Sequence, residues 1–261
     1  MQPKSRRIVI KFGSGMLTKP SGVSLDEEHF ERLAHGISGL RSAGHQVIVV
    51  SSGAVAAGTM AFGMAQRPSD TVTQQACAAV GQTRLMHLYE RLLRERGLLV
   101  AQLLLTNEDF EQPTRRANLE NTLRRLLDFG NVVPIINEND SVAVEELKVG
   151  DNDRLSSNVA QIARADLLVL LTSVDGLETG GGDLIEVISD VDEALAHVRA
   201  EMGAHSVGGM ASKLEAARSA VRAGIEVVIA NGRRTEQLLE LASGSGRGTR
   251  LPAMNFAPAS D

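Results

Sequence analysis

Two lysines sit beside glycine turns, and basic groups next to mobile backbone amides are what phosphate chemistry needs. Lys11 stands in the apolar run "RIVIKF" (7–12), and Gly13, Ser14 and Gly15 follow at once. Lys213 lies in "SVGGMASKLEAA" (206–217), where Gly208 and Gly209 let backbone amides approach a ligand at the start of a helix. Met210, Leu214, Ala217 and Val221 make the apolar stripe of that helix. Lys213 falls off the stripe in the first turn, where the helix dipole also favours an anion. One such lysine in each half of the chain points towards phosphate transfer.

Acidic and amide side chains lie between them, in "NEND" (137–140) and "VGDNDRLSSNVA" (149–160). A calcium loop counted from Asp151 fails, because Ser156 stands at the sixth position where glycine belongs and Ile162 at the twelfth where glutamate belongs. Zinc is a poor match, since the 6 histidines are scattered and none is paired with a cysteine. No P-loop order and no G-x-G-x-x-G occurs, and "SSGAVAAG" is not the G-x-S-x-G of a serine hydrolase. Asn152 or Asp153 as a helix cap remains, ahead of an apolar face made by Leu155, Val159, Ile162 and Ala163.

A net charge of -5 with 3% aromatic residues argues against a nucleic-acid surface, which needs a basic field and stacking rings. Arg115, Arg116, Arg124 and Arg125 read instead as a solvated helix face among Glu120 and Asp128. Cys77 is the sole cysteine, so no internal disulfide can form. The start of the chain is a poor signal peptide, and no apolar run approaches the roughly 18 residues of a membrane span. A cytoplasmic location is expected.

The elements that must hold these residues follow from the apolar runs at 7–12, 46–50, 98–105, 131–136, 166–171 and 225–230, unalternating and rich in β-branched residues and leucine. Such runs suit strands buried on both faces. Helical spacing fills 26–42, 70–96, 115–128, 153–165 and 210–222. The alternation predicts an α/β fold, a parallel or mostly parallel sheet with helices on both faces. Ligands then gather beyond the carboxyl ends of the strands. The runs end in Lys11 with its glycines, "SSGA" (51–54), "TNED" (106–109), "NEND" (137–140), "TSVDGL" (172–177) and "NGR" (231–233), so one shared crevice is expected. A single domain over 1–261 with two functional halves fits, and the tail is expected to fray beyond Met254.

Taken together and in order, "IVIKFGSGMLT", "GHQVIVVSSGAVAAG", "VVPIINENDSVA", "KVGDNDRLS" and "GGMASKLEAA" resemble the glutamate 5-kinases of the amino-acid kinase family, from about residue 6 to about residue 250. The resemblance implies a three-layer α/β/α sandwich with a mostly parallel central sheet. Its amino-acid-binding half would be about 1–165 and its ATP-binding half about 166–261. Many members add a C-terminal PUA domain, which is not expected here.

The implied reaction is ATP-dependent phosphorylation of the γ-carboxylate of L-glutamate to L-glutamyl 5-phosphate, the first step of proline biosynthesis. Lys11 and Lys213 would be the phosphoryl-stabilising lysines and Asp153 the carboxylate that positions them. Ser52, Asp140 and Asn152 match glutamate contacts, with Gly53 and Ala54 shaping their loop. Lys11, Gly13, Ser14, Thr172, Ser173, Val207, Gly208, Gly209, Met210, Ala211, Ser212 and Lys213 match nucleotide contacts. Mg²⁺ would be held through ATP phosphates and water, with no protein metal ligand. Feedback inhibition by proline and a homo-oligomer, dimer or tetramer, are family traits; no nucleic-acid or membrane partner is implied.

The implied chemistry agrees with the residues. A γ-carboxylate is ionised at neutral pH, far above its pKa of about 4.3, so no general base is needed. The obstacle is bringing one anion to another, which positioning and charge neutralisation overcome. An α-ammonium calls for an acceptor such as Asp140, and an α-carboxylate for a donor such as Ser52 or a backbone amide. Some positions depart from the family pattern: Ser173 stands where aspartate is common, Ser206 and Val207 replace a Gly-Thr pair, and Gly15 replaces a serine. The alternatives are a different acid, phosphate or carbamate acceptor, which an acceptor panel separates, and a non-catalytic sensor of ATP, glutamate or proline, to which ligand-dependent thermal shifts without ADP release would point.

Overall fold

The apolar runs become strands, and helices between them carry the chain back from one parallel strand to the next. The computed structural model describes residues 5–19, 23–142, 151–202 and 209–254. The chain runs β1 (Arg7–Phe12), α1 (Ser14–Leu17), α2 (Glu27–Ser42), β2 (Gln46–Val50), α3 (Ala54–Ala61), α4 (Thr71–Arg94), β3 (Leu99–Leu105), α5 (Glu108–Glu111), α6 (Pro113–Asp128) and β4 (Val132–Glu138). It continues with α7 (Asp151–Ile162), β5 (Leu167–Thr172), α8 (Val191–Met202), α9 (Met210–Arg222), β6 (Glu226–Asn231), a 3-10 turn at Thr235–Gln237, α10 (Leu238–Ser243) and β7 (Thr249–Leu251).

The strands form one 7-stranded sheet in the order β3-β4-β2-β1-β5-β6-β7. All neighbours are parallel except β7, which runs antiparallel to β6. The first strand is central, with β2 on one side and β5 on the other, so the order reverses at β1 and a crevice opens at its carboxyl end.

Side chains of β1 alternate between the two faces. Ile8, Ile10 and Phe12 join the core with Phe30, Leu33 and Ile37 of α2 and Leu85, Tyr89 and Leu92 of α4. Val9 joins the opposite core with Leu119 and Leu123 of α6, Val159 of α7 and Leu214, Ala217 and Val221 of α9. Two apolar layers around one sheet are the expected α/β/α sandwich. Lys11, two residues beyond Val9, shares the face of α7 and α9.

One expectation is corrected. The apolar run at 98–105 suits a strand buried on both faces, yet β3 is an edge strand with Leu99 55% exposed. A strand with one neighbour leaves part of its surface uncovered. The frayed tail beyond Met254 lies outside the described residues.

Candidate active site

The amino end of α7 reaches three strands at once. The helix packs against β1, β2, β4, β5 and α9, which sets its first turn above the central carboxyl ends of the sheet. Asp153 is buried there, 1% exposed. Lys11 Nζ from β1 stands 2.6 Å from its Oδ1, and Lys213 Nζ from α9 donates to its Oδ2 at 3.3 Å. Ser212 Oγ donates to the same Oδ2 at 3.1 Å. Among the described residues the Lys11 ammonium is the partner of Oδ1. Lys213 Nζ also donates to the Gly209 carbonyl at 3.2 Å, which folds the side chain along the first turn of α9.

Two buried ammonium groups around one carboxylate are costly to desolvate, and such pairs add little to stability. Burial lowers the Lys11 pKa; the Asp153 carboxylate opposes that shift and the Lys213 charge adds to it. With both lysines charged the cluster carries one net positive charge, which an anion such as a transferring phosphoryl group would neutralise.

Asn152, one residue before, faces the other way. Its Nδ2 donates to the Ser51 carbonyl at 2.9 Å, to Ser52 Oγ at 2.7 Å and to Asn137 Oδ1 at 3.3 Å. Ser51 and Ser52 follow β2, and Asn137 lies near the end of β4. Gly53 turns this loop into α3 with φ 100°, a left-handed conformation that only glycine adopts without strain. Ala54 is buried at the head of α3, and Asp140 is half-buried on the turn after β4. The helix-cap reading is corrected here. Asn152 and Asp153 lie inside α7, and their side chains are taken up by Ser51, Ser52 and Asn137 and by the two lysines.

The other described residues expected to contact nucleotide lie around the carboxyl edge. Gly13 adjoins Lys11, and a Cβ built on it would be 3.5 Å from Lys11 Nζ. Ser14 opens α1. Thr172 ends β5 half-buried, and Ser173 beside it is exposed. Gly209, Met210, Ala211 and Ser212 lead into Lys213 at the start of α9. Val207 and Gly208 lie outside the described residues.

Several polar groups at this edge escape a reading of the sequence. Asp175 accepts from Asn231 Nδ2 at 2.9 Å and pairs with Arg247 at 2.7 Å and Arg234 at 3.6 Å, tying the ends of β5 and β6 to the loop before β7. Those partners are distant in sequence, and no local spacing reveals them. Tyr89 contacts Ser51 Oγ at 3.0 Å, and Gln82 accepts from Asn137 Nδ2 at 2.9 Å. Gln82 carries a readable signal, being a polar residue on a helix face otherwise made of Cys77, Ala78, Gly81, Leu85 and Leu88.

Among the described residues no group of three or more His, Cys, Asp or Glu could hold a metal ion. Among them, too, no helix is long and apolar enough to cross a membrane.

A parallel α/β/α sandwich with paired buried lysines at its switch point defines a class of phosphoryl-transfer domain. The model described as Amino acid kinase family matches residues 6–231, and the chain belongs to that family. Within it, two sequence relatives are each named glutamate 5-kinase. That of Symbiobacterium thermophilum is 45% identical over 250 residues, covering 94% of this chain and 95% of the relative. That of Clostridium acetobutylicum is 42% identical over 250 residues, covering 93% of each. Among solved structures, carbamate kinase from Giardia lamblia bound to citric acid aligns with a TM-score of 0.67 at 18% identity, over 95% of this chain and 99% of that one. That likeness shows the fold alone.

Proposed function

We propose that this chain transfers the γ-phosphoryl group of ATP to the γ-carboxylate of L-glutamate, giving L-glutamyl 5-phosphate and ADP, the entry reaction of proline biosynthesis. The observation that carries the reading is the Lys11–Asp153–Lys213 cluster immediately beside the Asn152–Ser52–Asn137 amide cluster. Charge neutralisation and polar recognition are thereby adjacent, in a chain whose relatives are glutamate 5-kinases.

A γ-carboxylate oxygen attacks Pγ, a new P–O bond forms, and the bond from Pγ to the β,γ-bridging oxygen breaks as ADP leaves. No proton has to move. Lys11 and Lys213 stabilise the charge spread over the phosphoryl oxygens, and Asp153 keeps the two ammonium groups from repelling each other and holds them in line. Asn152, Ser52 and Asp140 hold the amino acid, with Gly53 and Ala54 shaping the loop. Gly13, Ser14, Thr172, Ser173 and the residues from Val207 to Lys213 surround the nucleotide. Asp153 is taken up by the lysines, so a magnesium ion would be held through ATP phosphates and water, and would supply further charge neutralisation. The division into an amino-acid half and an ATP half, a cytoplasmic location, self-association and inhibition by proline belong to the same reading.

The test is ADP release with glutamate, aspartate, N-acetylglutamate, UMP and carbamate as acceptors, repeated with Lys11→Ala. Release with glutamate that disappears in the variant is expected. No release with glutamate, or release unchanged by the substitution, overturns the reading.

A further inference from the structure

Gln82 is 8% exposed and lies one residue after a close approach of two helices. A Cβ built on Gly81 would sit 1.8 Å from the Ala54 carbonyl, so the backbones of α3 and α4 touch there. That contact carries the next side chain to the strand ends, and Tyr89, two turns along the same face, meets Ser51.

A relay of amides starts at this point. Asn137 Nδ2 donates to Gln82 Oε1 at 2.9 Å, and Asn137 Oδ1 accepts from the Glu138 N–H at 3.0 Å and from Asn152 Nδ2 at 3.3 Å. Asn152 Nδ2 also donates to the Ser51 carbonyl at 2.9 Å. An amide nitrogen only donates and an amide oxygen only accepts. The Ser51 carbonyl can only accept, which fixes Asn152. The Glu138 N–H can only donate, which fixes Asn137. Asn137 Nδ2 therefore requires an acceptor in a buried place, and Gln82 Oε1 is that acceptor. Two backbone groups thus set the polarity of the whole chain of amides. At its far end Asn152 Oδ1 is buried with no hydrogen-bond partner among the described residues.

We infer that Gln82 is a positioning residue for the amino acid, acting through Asn137 to hold Asn152 Oδ1 as an acceptor, in addition to Asp140, for the substrate α-ammonium. The site then selects an amino-acid zwitterion over a plain dicarboxylate. This rests on the glutamate reading above. Without an acceptor at position 82, Asn137 Nδ2 is stranded, and the Asn137 amide shifts off its contact with Asn152 Nδ2; the Ser51 carbonyl keeps the polarity of Asn152, but Oδ1 is held in place less firmly.

The experiment compares wild type, Gln82→Met and Gln82→Glu by steady-state kinetics, with thermal midpoints measured alongside. Glutarate, which is glutamate without its ammonium group, serves as a competing ligand. Gln82→Met keeps the side-chain length and removes the acceptor; it is expected to raise KM for glutamate about tenfold or more, the scale of a hydrogen bond to a charged group. KM for ATP and the inhibition constant of glutarate are expected to hold, and the thermal midpoint to fall by about a few degrees as the buried Asn137 Nδ2 loses its acceptor. Gln82→Glu keeps the acceptor and is expected to retain the preference for glutamate over glutarate, which decides the matter if the methionine variant does not fold. Equal weakening of glutamate and glutarate, an unchanged glutamate KM in folded Gln82→Met, or loss of the preference in folded Gln82→Glu overturns the inference. A wild-type protein that releases no ADP with glutamate overturns the functional reading and this inference together; an active wild type with the preference unmoved in the methionine variant overturns the inference alone.

Discussion

Lys11 is set between opposing influences. Burial holds its pKa below the ordinary lysine value, Lys213 pushes in the same direction, and Asp153 pulls the other way. The working form is the ammonium, so a lowered pKa means the working form is lost at a lower pH than for a solvated lysine. The kcat/KM profile is therefore expected to fall on its basic side before an ordinary lysine would titrate. In Asp153→Asn the upward influence of the neighbouring carboxylate disappears, and the basic limb is expected to move to lower pH. A limb that stays in place or moves up would show that Asp153 does not set the charge of Lys11. Both lysines and Asp153 are readable as candidates because charged residues stand beside glycines and at strand or helix ends. What spacing cannot show is that Lys213, off the apolar stripe of its helix, is nevertheless buried, because the surface it turns towards is an acidic side chain.

At the scale of elements, the contact between α3 and α4 decides whether the amino-acid pocket forms. A Cβ on Gly58 would lie 1.8 Å from the Cys77 carbonyl, and one on Gly81 would lie 1.8 Å from that of Ala54. Neither neighbour is a flexible side chain, so the helices have to separate. Gly81→Ala is expected to destabilise the protein by at least the upper part of the usual overpacking range, about 3 kcal/mol, read as a lower urea midpoint at unchanged slope. It is also expected to raise KM for glutamate, since Ala54 and Gln82 flank the contact. A midpoint equal to that of wild type would contradict this packing. Strand positions are legible because short, continuous, β-branched runs bounded by polar clusters bury well only as strands, and five helices show clear spacing. α3 is not legible: "AVAAGTMA" is small and apolar all round, as a helix packed closely on its neighbours must be, and it has no periodicity to detect. β7 has three residues and takes its register from β6, so it carries no pattern of its own. The polar mouth of α7 looks like a cap in the sequence because its real partners, on β1, β4 and α9 and just beyond β2, are remote along the chain.

At the scale of the molecule, β1 pairs with β2 of one half and β5 of the other, so the halves share a sheet and two continuous cores. Unfolding is expected to be a single cooperative transition followed equally by circular dichroism and by calorimetry. Two separated transitions would show that the halves are independent bodies. The same continuity lets Lys11, near the start of the chain, and Lys213, near its end, converge on Asp153. The central claim is that this convergence serves transfer of the phosphoryl group more than retention of the nucleotide. Its most direct test is Asp153→Asn, with kcat and the Kd for ATP measured on the same preparation. Turnover is expected to fall about a hundredfold or more, the scale of losing a preorganised charge arrangement, while Kd stays within about threefold. A Kd that weakens in step with kcat, or a kcat that does not fall, would contradict it.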